Sequence, residues 1–217
     1  MELRERDFKV FREVERWRFC LGRHIQHLAG FPSGRTCDRR LRLLISEGYL
    51  TRHMVLYGVP NVYQLTRKSK KLIFANQRED KIRLEQIIHD VTVLDIAICF
   101  MKSLELSSTD IKTEKQLHQE NGFGTREHHP DFIFTKENKT YCVEVELSLK
   151  SKARLEKNIK SNFIKYDIQI CVIDENKLKL FHILESYKIS YPNIEITNIK
   201  EAYNDIFKLI NPACKSE

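Results

Sequence analysis

The chain has 217 residues, enough for one substantial core or two small ones, and its 41% hydrophobic and 31% charged residues are the make-up of an ordinary globular protein. Its longest apolar stretches, such as Val91 to Met101, are too short and too interrupted to span a bilayer, and Met1-Glu2-Leu3-Arg4 runs directly into charged sequence without the apolar segment of a signal peptide. Membrane and secretory classes are therefore excluded at this level, and the expected location is cytoplasmic.

The formal net charge of +7 is unevenly placed. Residues 1–80 hold 17 Lys and Arg against 9 Asp and Glu, whereas the remainder holds 20 against 21. A basic first third attracts polyanions, nucleic acid foremost. The six cysteines, at 20, 37, 99, 142, 171 and 214, form no CxxC pair and have no His at zinc-finger spacing. Several lie in apolar runs, so they are expected as reduced core thiols.

In chain order, Leu21 to Ala29 predicts a short helix with apolar positions 21, 25 and 28, followed by a turn at Gly30-Phe31-Pro32-Ser33. Ser33 then caps a second helix whose apolar stripe is Cys37, Leu41, Leu44 and Ile45, with Gly48 as its stop. Arg35, Arg39 and Arg42 fall at i, i+4 and i+7, about half a turn away from that stripe. A helix with one core face and one arginine face, preceded by another short helix, matches helix-turn-helix geometry. Tyr49 to Tyr57 reads as a strand, Gly58-Val59-Pro60-Asn61 as a turn and Val62 to Leu65 as the returning strand, with Thr66 capping a basic helix after it. These elements predict a winged helix-turn-helix DNA-binding domain over residues 1–78. Arg35, Arg39 and Arg42 are its expected DNA-binding residues, and Arg40 and Arg52 its expected phosphate contacts.

Residues 79–104 read as one long linking helix, in which His89 and Asp90 serve a capping or hydrogen-bonding role. The second half alternates differently. His129 to Phe134 begins a strand with Asp131 near its start, Lys136 to Lys139 is a polar turn, and Thr140 to Leu147 is a second strand. Period two puts Glu144 and Glu146 on one face and Val143, Val145 and Leu147 on the other. Lys150 follows, then a basic helix from Ser151 to Ile164, a strand at Ile168 to Ile173, another strand at Lys177 to Ile183 and a terminal helix at Ile199 to Ile210, with Asn211 to Glu217 expected to fray.

Two acids and a lysine in so compact a span suit phosphodiester cleavage. A divalent ion polarises the phosphoryl oxygen and lowers the pKa of a water. Magnesium prefers carboxylates and water, and a lysine can neutralise transition-state charge. Asp131, Glu144 and Lys150, with Glu146, supply that set. The same alternation also describes a plain solvent face. His118, His128 and His129 read as a polar loop cluster, with His129 next to Asp131 able to reach a water or phosphate. Tyr141, Tyr187 and Tyr191 read as packing residues.

Pro130-Asp131, Glu144-Val145-Glu146 and Lys150 resemble the P-D…(D/E)-x-K core of restriction-endonuclease-like nucleases. The run from Glu144 to Ser151, followed by Arg154-Leu155, resembles the replication-relaxation family, which includes MobC-type plasmid mobilisation relaxases. That resemblance covers roughly residues 5–175. It implies an α+β protein in which an N-terminal winged helix-turn-helix domain is joined by a long helix to a C-terminal α/β restriction-endonuclease-like domain over residues 79–217. It also implies Glu114, in Thr113-Glu114-Lys115-Gln116-Leu117, as a further carboxylate, so that Glu114, Asp131 and Glu144 would hold Mg2+ or Mn2+. One departure stands out: the third motif position is Glu146 rather than lysine, so the lysine role is either displaced to Lys150 or Lys152 or missing.

The expected function is metal-dependent nicking of plasmid DNA at a transfer origin during mobilisation or conjugation. The expected partners are double-stranded DNA, relaxosome or coupling proteins and a second copy of the chain as a homodimer, with no membrane. The alternatives are a catalytically silent DNA-binding regulator or relaxosome accessory protein, and a defence or repair endonuclease.

Overall fold

The computed structural model describes residues 2–55, 60–78, 80–122 and 127–210, with side chains to residue 204. The chain is an α+β protein that divides into two compact units, residues 1–98 and 99–217. No helix among the described residues is long and apolar enough to cross a membrane.

The first unit begins with α1 (Glu5–Arg16), the two-residue strand β1 (Cys20–Leu21) and α2 (Gly22–Leu28). Next come α3 (Gly34–Ser46), β2 (Leu50–His53), β3 (Val62–Leu65) and α4 (Arg67–Leu72). The three strands form an antiparallel sheet in the order β1-β3-β2. Val10, Phe11, Val14, Ile25, Leu41, Leu44 and Leu50 are all buried, so α1, α2 and α3 each turn an apolar side to the core. The start of α3 is capped by Ser33, whose hydroxyl accepts from the Thr36 amide. Its end is closed by Gly48 at φ +74°, where the Gly48 amide donates to Ile45 and the Tyr49 amide to Leu44. Only a residue without a Cβ takes that left-handed turn freely. Thr66 caps α4 as expected, accepting from the Ser69 amide.

Polar ties lock this unit together. Buried Asp7 of α1 receives the Arg40 side chain of α3 through two donors, one at 2.8 Å and one shorter. Buried His24 takes the Leu21 amide at Nδ1 and lies 2.8 Å from Asp95 through Nε2, while Arg23 grips the same carboxylate. Lys70 is buried and donates to the Arg78 carbonyl and to Asp80.

Here the sequence expectation needs correction. The linking helix does not run from residue 80. A 3-10 turn at Leu84–Gln86 precedes α5 (Ile87–Leu104). Asp80 is held by Lys70 through its carboxylate and by Gln64 through its carbonyl, which draws this stretch away from helical hydrogen bonding. Glu79 and residues 56–59, which include the first half of the predicted turn Gly58-Val59-Pro60-Asn61, lie outside the described residues. The predicted strand Tyr49–Tyr57 is observed over Leu50–His53.

The second unit holds a five-stranded mixed sheet in sequence order: β4 (Ile111–Thr113), β5 (Phe132–Lys136), β6 (Lys139–Glu146), β7 (Ile168–Ile173) and β8 (Ile194–Asn198). β4, β5 and β6 are antiparallel, while β6, β7 and β8 are parallel. α6 (Glu114–Glu120) follows β4 directly. The parallel crossovers are α7 (Lys152–Lys165) and α8 (Leu178–Tyr187), and α9 (Ile199–Ile210) closes the chain. β5 and β6 are joined at Glu137 and Asn138, both with positive φ, the two-residue turn that matches the twist of a tight hairpin.

The two faces of this sheet are covered by different elements. Phe132 and Phe134 pack on Phe100 near the end of α5, and Phe134 stacks on its register partner Tyr141 at 4.8 Å. On the opposite face Cys171 and Ile173 join Leu155 and Ile159 of α7 and Leu180, Leu184 and Tyr187 of α8 in one cluster. The strand expected at Lys177–Ile183 is therefore the helix α8. Its buried positions 180, 184 and 187 are spaced by four and three, the period of a helix rather than a strand. The last strand is β8 instead. Cys20, Cys37, Cys142 and Cys171 are free and buried, and Cys214 lies outside the described residues.

Asp7 and Arg40 give a test of the first unit. Burial works to raise the Asp7 carboxyl, but the hydrogen bonds from Arg40 and the Arg4 amide, with the guanidinium charge, outweigh it and hold the group below its ordinary 3.8. A carboxyl lowered on folding contributes stability above its unfolded pKa and loses it as pH falls through the folded one. Arg40→Ala, which strands a buried carboxylate, is expected to cost about 3 kcal/mol in urea unfolding at pH 7. The deficit relative to the parent should shrink toward pH 2.

Candidate functional site

The sequence-predicted acids gather where β5 begins and β6 ends. Thr113 pairs with Phe132 and Phe132 with Val143, so one step further along the ladder Glu114, Asp131 and Glu144 fall in one row across three chain segments. The Glu114 amide donates to the Asp131 carbonyl at 2.9 Å, and the Asp131 amide to the Val143 carbonyl at 3.1 Å. The Asp131 side chain accepts the Val145 amide at 2.7 Å, standing in for a strand carbonyl and fixing its own carboxylate against β6.

Glu144 and Glu146 are 6% and 3% exposed. A solvent face is thereby ruled out for this alternation. Glu144 is level with Cys171 and Glu146 with Ile173, so both acids share the sheet face that α7 and α8 cover. Each buried carboxylate has its own donors. Glu146 pairs with Lys150, four residues on, at 2.5 Å. Glu144 receives His128 at 2.5 Å and the side-chain amide of Asn162, from α7, at 3.0 Å. Both of those contacts fall on Oε1, and no protein donor among the described residues reaches Oε2.

Lys150 is the cation of the site. Burial works to lower its ammonium, but Glu146 first and Glu144 next outweigh it, and Asp131 adds to them, so its pKa is raised. One ammonium thus feels three of the predicted acids. Lys152, the other sequence candidate for the lysine role, opens α7 and is exposed.

The histidines extend this cluster. His118 lies 3.6 Å from Glu114 on the same helix face, and its ring meets the His129 ring edge-on at 4.4 Å. Burial, followed by the neighbouring His118 and Lys165, lowers the pKa of the His129 imidazole. His128 and Asn162 are not among the site residues expected from sequence. His128 lies in a segment that reads as a polar loop, and Asn162 lies 18 residues beyond Glu144 with no motif to mark it. Its one sequence signal is a polar residue on the inward face of α7, beside Leu155 and Ile159.

Among the described residues no three His, Cys, Asp or Glu side chains form a ready-made metal cage. The donor set nonetheless fits a hard ion. Magnesium commonly takes one or two carboxylates and completes its shell with water, and Glu144 presents an oxygen unclaimed by protein donors.

On the first unit, Arg35, Arg39 and Arg42 are exposed along α3, and Arg52 is exposed on β2. Arg40 is placed differently: its guanidinium is tied to Asp7 and to the Glu2 carbonyl, with only 17% of the side chain exposed. The helical phase explains this, because Arg40 lies three residues after buried Cys37 and four before buried Leu44, spacings that share one helix face, and so borders the buried stripe. Its observed contacts are internal and structural.

Comparison with protein-family models and with curated proteins finds no match to this chain.

The Glu146–Lys150 pair has a measurable signature. A lysine raised on folding contributes stability below its ordinary 10.5 and loses it as pH rises through the folded value. Lys150→Met, which leaves Glu146 buried without its cation, is expected to lower unfolding stability by about 2 kcal/mol at pH 8, less than a fully buried pair because Lys150 is partly exposed. The difference from the parent should narrow above pH 11.

Proposed function

We propose that this protein binds duplex DNA through its first unit and cleaves a phosphodiester at the acidic cluster of its second, using a divalent ion. The observation that carries the reading is the row that Asp131 and Glu144 form across β5 and β6, with the Glu146–Lys150 ion pair beside it. The first unit supports it with the element order helix, strand, helix, helix and two-stranded hairpin, which is that of a winged helix-turn-helix, and with exposed Arg35, Arg39 and Arg42 on the helix that such modules lay in the major groove. The second unit supports it with acids at the start of one strand and the end of the next in a mixed sheet, the placement expected of a restriction-endonuclease-like core.

Asp131 and Glu144 would hold Mg2+ or Mn2+, with Glu114 beside them in the row. The ion would act as Lewis acid on the phosphoryl group and make water a better nucleophile. Asp131, pinned by the Val145 amide, and Glu144, pinned by His128 and Asn162, are positioned before substrate arrives. Lys150 keeps a positive charge beside them, where it can oppose charge that develops on the phosphate. Arg35, Arg39, Arg42 and Arg52 would contact phosphate or base edges, and Arg40 drops out of that set because Asp7 occupies it. The resemblance to replication-relaxation proteins extends this reading to nicking at a plasmid transfer origin, with relaxosome proteins as partners.

A second reading, a DNA-binding regulator with a silent nuclease fold, is favoured by one observation. Glu146 stands where nuclease motifs carry lysine, and it holds Lys150 in an ion pair.

Incubating supercoiled plasmid with the purified protein and Mg2+ or Mn2+ separates the two. Cleavage is expected to give nicked circles and to be abolished by Asp131→Ala or Glu144→Ala, both of which should still shift duplex DNA in a gel. Binding without metal-dependent cleavage in the parent would establish the regulator instead. Independently, Arg39→Ala/Arg42→Ala should weaken duplex binding and reduce the slope of log K against log salt by about 2. An unchanged slope in the folded double variant would remove α3 from the interface.

A further inference from the structure

The structure assigns Asn162 as a positioning residue for Glu144, an inference that rests on reading the acidic cluster as a divalent-ion site. Asn162 is 2% exposed on the inward face of α7, which it shares with Leu155, Ile159 and a second buried asparagine, Asn158. A carboxamide in that company is costly unless both of its ends are bonded. Only one end is bonded to protein. Nδ2 donates to Glu144 at 3.0 Å, while Oδ1 is buried with no protein donor. A side chain kept only for packing would not leave a carbonyl oxygen orphaned, since a leucine of similar size would fill the space without that penalty.

The geometry at Glu144 supplies the reason for the amide. His128 and Asn162 approach from different elements and meet on the same oxygen, Oε1. Two donors on one oxygen stop the carboxylate from rotating and leave Oε2 as the face it presents. Partners of this kind, which touch a metal-binding carboxylate and not the metal, commonly contribute 10–100-fold to metal affinity. Asn162 is thus assigned to metal affinity through Glu144, beyond the hydrogen bond it gives that buried carboxylate in the fold.

The test titrates Mn2+ calorimetrically into the full-length parent, Glu144→Gln, Asn162→Leu and Asn162→Gln, with thermal unfolding of each recorded in metal-free buffer. The parent should bind and Glu144→Gln should lose most of the affinity. Asn162→Leu should fold with a modestly lower melting temperature, having lost one donor to Glu144, and bind Mn2+ on the order of 10–100-fold more weakly, and Asn162→Gln, which keeps the amide donor, should recover part of the loss. Parent-like Mn2+ affinity in a folded Asn162→Leu variant overturns the assignment while leaving the metal site standing. If the parent itself binds no Mn2+, the metal-site reading fails and the assignment fails with it. Should leucine prevent folding, Asn162→Ala carries the same comparison at the same threshold.

Discussion

The second unit is organised around the cost of burying two carboxylates on its central strand. An ion removed from water loses several kcal/mol of solvation even after the protein relaxes, and recovers it only with well-placed partners. Glu144 and Glu146 lie on the face of β6 that α7 and α8 cover, so every element nearby must supply something. The segment after β6 brings Lys150 back onto Glu146. α7 carries Asn162, and the segment before β5 carries His128. The same segment places Asp131, whose side chain takes a ladder hydrogen bond from β6 in place of a backbone carbonyl. Were these two positions apolar, none of those polar residues would be required.

The first unit shows a related economy of charge. Its excess of positive residues is sorted into two populations. Arg40, Lys70 and Arg23 are tied to acids within the unit, where they hold α1 to α3, α4 to the segment around Asp80, and α2 to α5. Arg35, Arg39, Arg42 and Arg52 are exposed. The net charge is the same whichever cations are internal, but the field a polyanion meets comes from the exposed set. Of the five arginines expected at the interface, four remain on the surface, and the one removed lies a helical turn from buried Cys37 and Leu44.

Elements with strong local signals are legible in the chain alone. The Ser33 cap, the Gly48 stop, the Thr66 cap, the strands Val62–Leu65 and Ile168–Ile173 and the helix Ile199–Ile210 lie where pattern and turn chemistry put them. The departures have two causes: competition from tertiary partners, and a short apolar run whose period is ambiguous. Asp80 is drawn out of helical bonding by Lys70 and Gln64, and Lys177–Ile183 is apolar enough to pass for a strand until the positions beyond it, Leu184 and Tyr187, reveal a helical stripe.

At the site, the primary structure specifies the acids, their alternation on one strand face and the nearby lysine, because period and spacing are properties of the chain. It also places the excess positive charge in the first 80 residues, since charge can be counted. Whether the glutamate face meets water or protein is a matter of tertiary packing, since it depends on α7 and α8 folding back across the sheet. The same packing selects which arginine turns inward to Asp7 and brings Asn162 and His128 onto Glu144. Those contacts join residues 16 to 33 positions apart, and no local spacing rule encodes which distant donor will meet a buried charge.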